Sequence, residues 1–134
     1  MRIDNSLGPI DIAMSGLKAQ DTRIRVITSN VANAQSTDNG QGQPYRRLEA
    51  ILKAAGEGIS GVTIDEVAED MSELPAVLKP GHPQADAQGY VRMPNVDLPI
   101  EMMNLTLAAR AYEANAATLK RYQRMVETAL ELLR

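Results

Sequence analysis

The chain has no cysteine, phenylalanine or tryptophan, and one histidine, His82. Without cysteine, disulfides, thiolate metal sites and a cysteine nucleophile are excluded. The same absence suits a protein that crosses between redox compartments. Its only aromatic side chains are Tyr45, Tyr90, Tyr112 and Tyr122, and large aromatics ordinarily carry much of a globular core. The core must therefore be aliphatic, a condition that an elongated helical pair meets more easily than a compact ball. No apolar run approaches the roughly 18 residues needed to span a bilayer. At the start, "MRIDNSLGPI" has Asp4 and Gly8-Pro9 where a cleaved leader would carry an apolar block, so a chain that leaves the cytoplasm is expected to do so without one.

Charge and chemistry are equally sparse. The net charge is −3, from 14 basic and 17 acidic residues, too mild for a polyelectrolyte partner such as nucleic acid. His82 has Asp86 as its only nearby carboxylate, which is too little for a metal site or an acid–base pair. Nucleophile elbow, phosphate loop and paired catalytic carboxylates are all missing. Neither an enzyme nor a cofactor or small-molecule binder is expected.

What the chain does have is helical periodicity at both ends. Ile3, Leu7, Ile10, Met14, Leu17, Ile24 and Val31 keep an alternating four-three heptad spacing, with Asp21 and Thr28 at the two missing positions. Gly8-Pro9 interrupts the start, which places a firm helix from about Asp11 with Pro9 near its first turn. The run "SNVANAQSTDNGQGQP", residues 29–44, then changes to residues that favour caps and turns.

At the other end Leu98, Met102, Leu105, Ala109, Tyr112, Ala116, Leu119, Gln123, Val126, Leu130 and Leu133 hold the same spacing without a slip, and only Gln123 is polar. A helix of that extent is roughly 50 Å long at 1.5 Å per residue. Asp97 is its expected N-cap, Pro99 suits a first turn whose N–H groups have no intrahelical acceptor, and Glu101 suits the positive end of the dipole. Ala109 and Ala116 would admit a close neighbour, and alanines at 108, 111, 114 and 117 widen the small-residue surface beyond what one seam needs.

Between the helices the texture is different. "YRRLEAILKA" fits either a short helix or a strand, with a slight preference for strand, and "GVTIDEVA", residues 61–68, reads as a strand, with a partner around "AVL" at 76–78. Pro75, Pro80, Gly81, Pro83 and Gly89 break the rest into short pieces, and "KPGHPQADAQGYV" is a loop entering a brief extended segment. Six acidic residues and no basic one fall between Glu57 and Leu78, a segment expected to be solvated. The expected fold is mainly α: antiparallel N- and C-terminal helices, residues 1–36 and 98–134, in a coiled-coil-like pair, with a small β-containing insertion over 37–97.

Several words of the sequence carry a resemblance. "SGLKAQDTRIRVITSNVANAQST", residues 15–37, resembles the N-terminal signature of the axial proteins of the bacterial flagellum, the rod and hook family. "PYRRLEA" from Pro44 and "PGHPQADAQGYVRMPNVD" from Pro80 narrow the resemblance to the proximal rod, and "EMMNLTLAARAYEANAATLK" is similar to the family's C-terminal helix. Residues 49–79 match poorly, and Pro99 and the lack of an N-terminal phenylalanine depart from the usual pattern.

The resemblance implies a structural subunit of the basal-body rod, exported as an unfolded chain through the flagellar type III apparatus. It would assemble helically with copies of itself and meet other rod proteins and ring or export-gate components. The implied assembly residues are Leu7, Ile10, Met14, Leu17, Ile24, Ser29, Asn30, Ala32 and Asn33 near the N-terminus. Near the C-terminus they are Leu98, Met102, Leu105, Ala109, Tyr112, Ala116, Leu119, Val126, Leu130 and Leu133. The residues alone leave one further class open, a soluble coiled-coil adaptor or chaperone-like module. Arg46, Arg47, Lys120, Arg121 and Arg124 are matched by Glu113, Glu127 and Glu131, and read as a mixed charged face.

Overall fold

The computed structural model describes residues 8–58 and 60–133. The elements run α1 (Pro9–Ala32), β1 (Leu48–Ala54), β2 (Val62–Glu69), β3 (Ala76–Leu78), β4 (Tyr90–Arg92) and α2 (Leu98–Leu132). Helix α1 begins at Pro9, two residues earlier than Asp11. Pro9 is its first residue, and the N–H of Gly8 donates to Asp11 Oδ2 at 3.2 Å, so the first turn is closed by a carboxylate at the positive end of the helix dipole. At the start of α2 the Asp97 side chain accepts from the Ile100 N–H, and Pro99 lies in the first turn. No helix among the described residues is long and apolar enough to cross a membrane.

The two helices run antiparallel. Asn30 Nδ2 lies 3.0 Å from Glu101 Oε2, and a Cβ on Gly16 would sit 2.8 Å from Asn115 Nδ2. Fourteen residues back along α1 thus match fourteen forward along α2. The same register sets Ile27 level with Asn104, Arg23 with Ala108 and Gln20 with Ala111. Glycine in a helix interior costs about 1 kcal/mol against alanine; at Gly16 it lets Asn115 approach.

The expected heptad frame does not supply these closest contacts. A seven-residue repeat drifts by about 20° per heptad on a straight α-helix. Over the length of α2 that carries the frame from one flank of the seam to the other.

Strands β1 and β2 form an antiparallel hairpin, with Leu48 opposite Glu69 and Ala54 opposite Val62. Ile51 faces Glu66 while Leu52 faces Ile64, so Asp65 is the extra residue of a bulge. The expected pairing of β2 with the segment at 76–78 is incorrect: β3 pairs with β4 in a separate two-stranded sheet. The reason is local. The chain leaves β2 at Asp70, whose N–H donates to the Arg47 carbonyl, and the Met93 N–H returns to the Pro75 carbonyl, so each ribbon is closed by its own neighbours.

Both strands of the hairpin pack on α1 and neither packs on α2, which leaves α1 as the middle layer. Ser15 Oγ accepts from the Val62 N–H at 3.0 Å, and a side chain on Gly61 would run into Ser15. The buried apolar residues are Ala13, Ala19, Val26, Ile27, Ala50, Val91 and Ala108, a small aliphatic core as the missing aromatics require.

Candidate assembly surface and its polar hub

The most deeply buried polar groups sit where α1 ends, β1 begins and α2 begins. Asn30 has no exposed surface, and each of its hydrogen-bonding positions is used. Its Nδ2 donates to the Leu48 carbonyl at 2.8 Å and to Glu101 Oε2 at 3.0 Å. Its Oδ1 accepts from the Leu48 N–H and from the Tyr45 hydroxyl, both at 2.9 Å. An amide offers two donors and two lone pairs, so this is full satisfaction. Ser29 Oγ lies 3.3 Å from the Tyr45 hydroxyl and extends the network.

Glu101, 1% exposed, gives its second oxygen to Arg47, whose Nε lies 2.7 Å away. The same guanidinium stands 3.6 Å from both Glu49 and Asp70. Burial works against the Arg47 charge, but the hydrogen bond and charge of Glu101, with Glu49 and Asp70, outweigh it and raise the arginine's pKa. Asp70 is held below the usual carboxylate range, chiefly by hydrogen bonds from the Ser72 backbone and side chain and then by Arg47 and Arg46. Asn95 closes the cluster: Oδ1 accepts from the Arg47 N–H at 2.8 Å, and Nδ2 donates to the Asp70 carbonyl and Ser72 Oγ at 2.9 Å.

A buried charge is tolerable only when paired and fully hydrogen-bonded, and the hub meets both conditions. Its effect is to fix the insertion to the helical pair. No three metal-ligating side chains cluster among the described residues. His82 Nδ1 accepts from the Gln84 N–H at 3.2 Å in its own loop.

Around this hub the expected assembly residues are distributed unevenly. Leu7 lies outside the described residues. Ile10, Leu17, Ile24, Ser29 and Asn33 are half-buried, Asn30 is buried, and Met14 and Ala32 are exposed. On α2, Leu105, Ala109, Ala116 and Leu119 are half-buried, flanking the seam, whereas Leu98, Met102, Tyr112, Val126, Leu130 and Leu133 are exposed. Further large apolar side chains on α2 face solvent, among them Ile100, Met103, Leu107, Met125 and Leu132.

Sequence reading missed Gly16, Tyr45, Arg47 and Asn115 as structural residues and gave Glu101 only a dipole role. A glycine inside an otherwise helical pattern was the one available signal.

Large aliphatic and methionine side chains thus lie exposed on α2 outside a seam of small residues, and exposed apolar surface of this kind is a feature of interaction sites.

Comparison with known proteins gives the family. Residues 10–39 match the family described as "Flagella basal body rod protein", and residues 87–132 match "Flagellar basal body rod FlgEFG protein C-terminal". The flagellar basal-body rod protein FlgC of Yersinia enterocolitica is 44% identical over 116 residues, 84% of this chain and 87% of the relative. The Salmonella typhimurium protein of the same name is 42% identical, covering 94% of this chain and 96% of its own, and that of Bacillus subtilis is 35% identical over 92% and 95%. With its helical ends, its outward apolar surface and relatives aligned along almost its whole length, the chain belongs to the FlgC family of flagellar basal-body rod proteins.

Proposed function

We propose that the chain is a non-enzymatic structural subunit of the proximal rod, assembling helically through the faces of its two helices into the torque-transmitting axis of the basal body. The large apolar side chains left exposed along α2, among them Met102, Met103, Leu107, Met125 and Leu130, carry this reading. The helical segments 1–36 and 98–134 form the assembling body, and 37–97 is an insertion set on it by the hub. The half-buried and exposed heptad residues, from Ile10 and Met14 near one end of the chain to Leu130 and Leu133 near the other, pack coiled-coil-like against neighbouring copies and other rod proteins. Heterologous contacts of this kind do not close by a two-fold axis and continue as a helix.

The subunit reaches the periplasmic rod by type III export. The lack of cysteine favours such a route, because an unfolded chain then has no thiol to oxidise on the way. Membership of a rod-protein family favours the subunit over the soluble adaptor.

The test is cryo-electron microscopy of basal bodies isolated from the source cell. Density for two antiparallel helices with this side-chain sequence is expected in the proximal rod. Recovery of the protein from cytoplasm alone would put the adaptor reading in its place.

A further inference from the structure

Two surfaces at opposite ends of the molecule complement each other. Along α2 the line Ile100, Met103, Leu107, Arg110, Ala114, Arg121, Met125, Thr128 and Leu132 is exposed throughout, and the charges on it are Arg110 and Arg121, with Glu127 and Glu131 exposed on the flank beside Arg124. At its far end Arg121 and Arg124 border a shallow concavity with Met125 and Leu132, and Met125 is 63% exposed. Neither arginine is ion-paired among the described residues.

The segment Glu66–Glu73 is the reverse: four acidic residues, no basic one, and Met71 exposed to 74%. Asp70 is held by Arg47, while Glu66, Glu69 and Glu73 have no ion-pair partner among the described residues.

The two surfaces cannot meet within one chain. Asp70 is tied through Arg47 to Glu101 at the start of α2. Arg121 lies twenty residues further along the helix, about 30 Å away at 1.5 Å per residue, and α1 stands between the hairpin and α2.

We propose that they meet between copies: the acidic, methionine-tipped segment 66–73 of one copy docks on the arginine and methionine end of α2 of the next. The contact is head-to-tail. It buries Met71 against Met125 and sets Glu69 and Glu73 against Arg121 and Arg124, and its repetition stacks copies in one polarity. This inference rests on the reading of the chain as a rod subunit and names the faces that reading leaves open.

The natural absence of cysteine makes the test direct. Met71→Cys and Met125→Cys chains carrying different tags are produced together in cells that build flagella from them. Isolated basal bodies are then treated with a bis-maleimide. A product bearing both tags is expected. Its yield should fall about tenfold or more when Arg121→Glu and Arg124→Glu are added, and return when Glu69→Arg and Glu73→Arg are introduced on the other chain, since like charges across an interface cost several kcal/mol.

If the chain is present in basal bodies but no two-tag product forms, or charge reversal leaves the yield unchanged, the inference is wrong and the rod reading stands. A product containing a different rod protein overturns the assignment of a second copy. Absence of the folded chain from basal bodies overturns the rod reading and this contact with it. Far-UV circular dichroism of each variant, with Arg121→Gln and Arg124→Gln as the milder pair, separates lost docking from lost folding.

Discussion

Asn30 and Glu101 are separated by 71 positions in the chain and joined by a 3.0 Å hydrogen bond in its most buried polar contact. Around that bond the end of α1, the first residue of β1 and the first turn of α2 are held at one point. Replacing Asn30 by aspartate changes little in shape but turns a donor facing a carboxylate and a carbonyl into a second negative oxygen. The expected loss is about 3 kcal/mol at neutral pH, from two unmade hydrogen bonds and like-charge contact. Burial and Glu101 would raise the new carboxyl's pKa, so stability should recover in part as pH falls and the proton restores a donor. Urea unfolding of Asn30→Asp at pH 7 and pH 5 measures both; a variant as stable as the parent at pH 7 would remove Asn30 from its central role.

Arg47 and Glu101 supply a second prediction. Arg47→Met leaves a carboxylate at 1% exposure without its counter-charge, and breaking a buried pair from one side costs about 3–5 kcal/mol. Glu101→Leu leaves Arg47 with Glu49 and Asp70 still within 3.6 Å, so it should cost less. The double variant is expected to be more stable than Arg47→Met alone. A double-mutant cycle by chemical denaturation checks this, and purely additive losses would show that the two side chains do not act as a pair.

Acid should destabilise the fold through Asp70. Its pKa is depressed in the folded state, so it contributes stability that is present above the unfolded value near 3.9 and is lost as pH falls through the lower folded value. Asp70→Asn is expected to flatten the acid limb of the stability profile below about pH 4 and to lower stability at neutral pH. Thermal melts of both proteins across that range test the prediction; parallel acid limbs would assign acid sensitivity to other carboxylates.

Both helices, the N-cap of α2 and the strand character of β2 were legible in the sequence, because each rests on local signals: four-three spacing, Asp97 before Pro99, and β-branched alternation in "GVTIDEVA"; "YRRLEAILKA", which holds β1, fits a short helix as well. Strand partnership was not. The segment 76–78 has the composition of a partner for β2, but pairing is decided by where Asp70, Met93 and Asn95 find backbone and side-chain acceptors. The alanines of α2, Ala108 among them, pointed to a small-residue surface wider than one seam needs, while the other close-packed positions, Gly16 and Asn115, are small or polar residues that a hydrophobic count passes over. The hub was hidden because periodicity identifies the apolar side of a helix and does not show which polar residues are buried on it.

Gly16 offers a direct check of the seam. A Cβ there would fall 2.8 Å from Asn115 Nδ2, a contact that Asn115 can relieve by rotating. Gly16→Ala is therefore expected to be near neutral, since the helix propensity gained offsets the crowding. Gly16→Leu must part the helices and should cost about 1–3 kcal/mol. Equal stability of the leucine variant would mean that α1 and α2 do not approach closely at this level.

Ala116 tests the outer flank of the same helix, where assembly rather than folding is at stake. It is half-buried in the single chain and lies next to Asn115. A leucine side chain at 116 has room to turn outward from the seam, so the monomer is expected to stay soluble with a melting temperature close to that of the parent. On the assembly face proposed above, the added bulk would hold two helices apart along a stretch where alanines allow contact, and overpacking of a close interface costs about 1–3 kcal/mol at each contact. Because every copy in a helical array carries the substitution, the penalty recurs at each subunit and motility should be lost. Swarming of cells carrying Ala116→Leu, with basal bodies probed for the protein, separates the outcomes: a folded monomer absent from the rod places Ala116 in the interface, and unimpaired motility removes it.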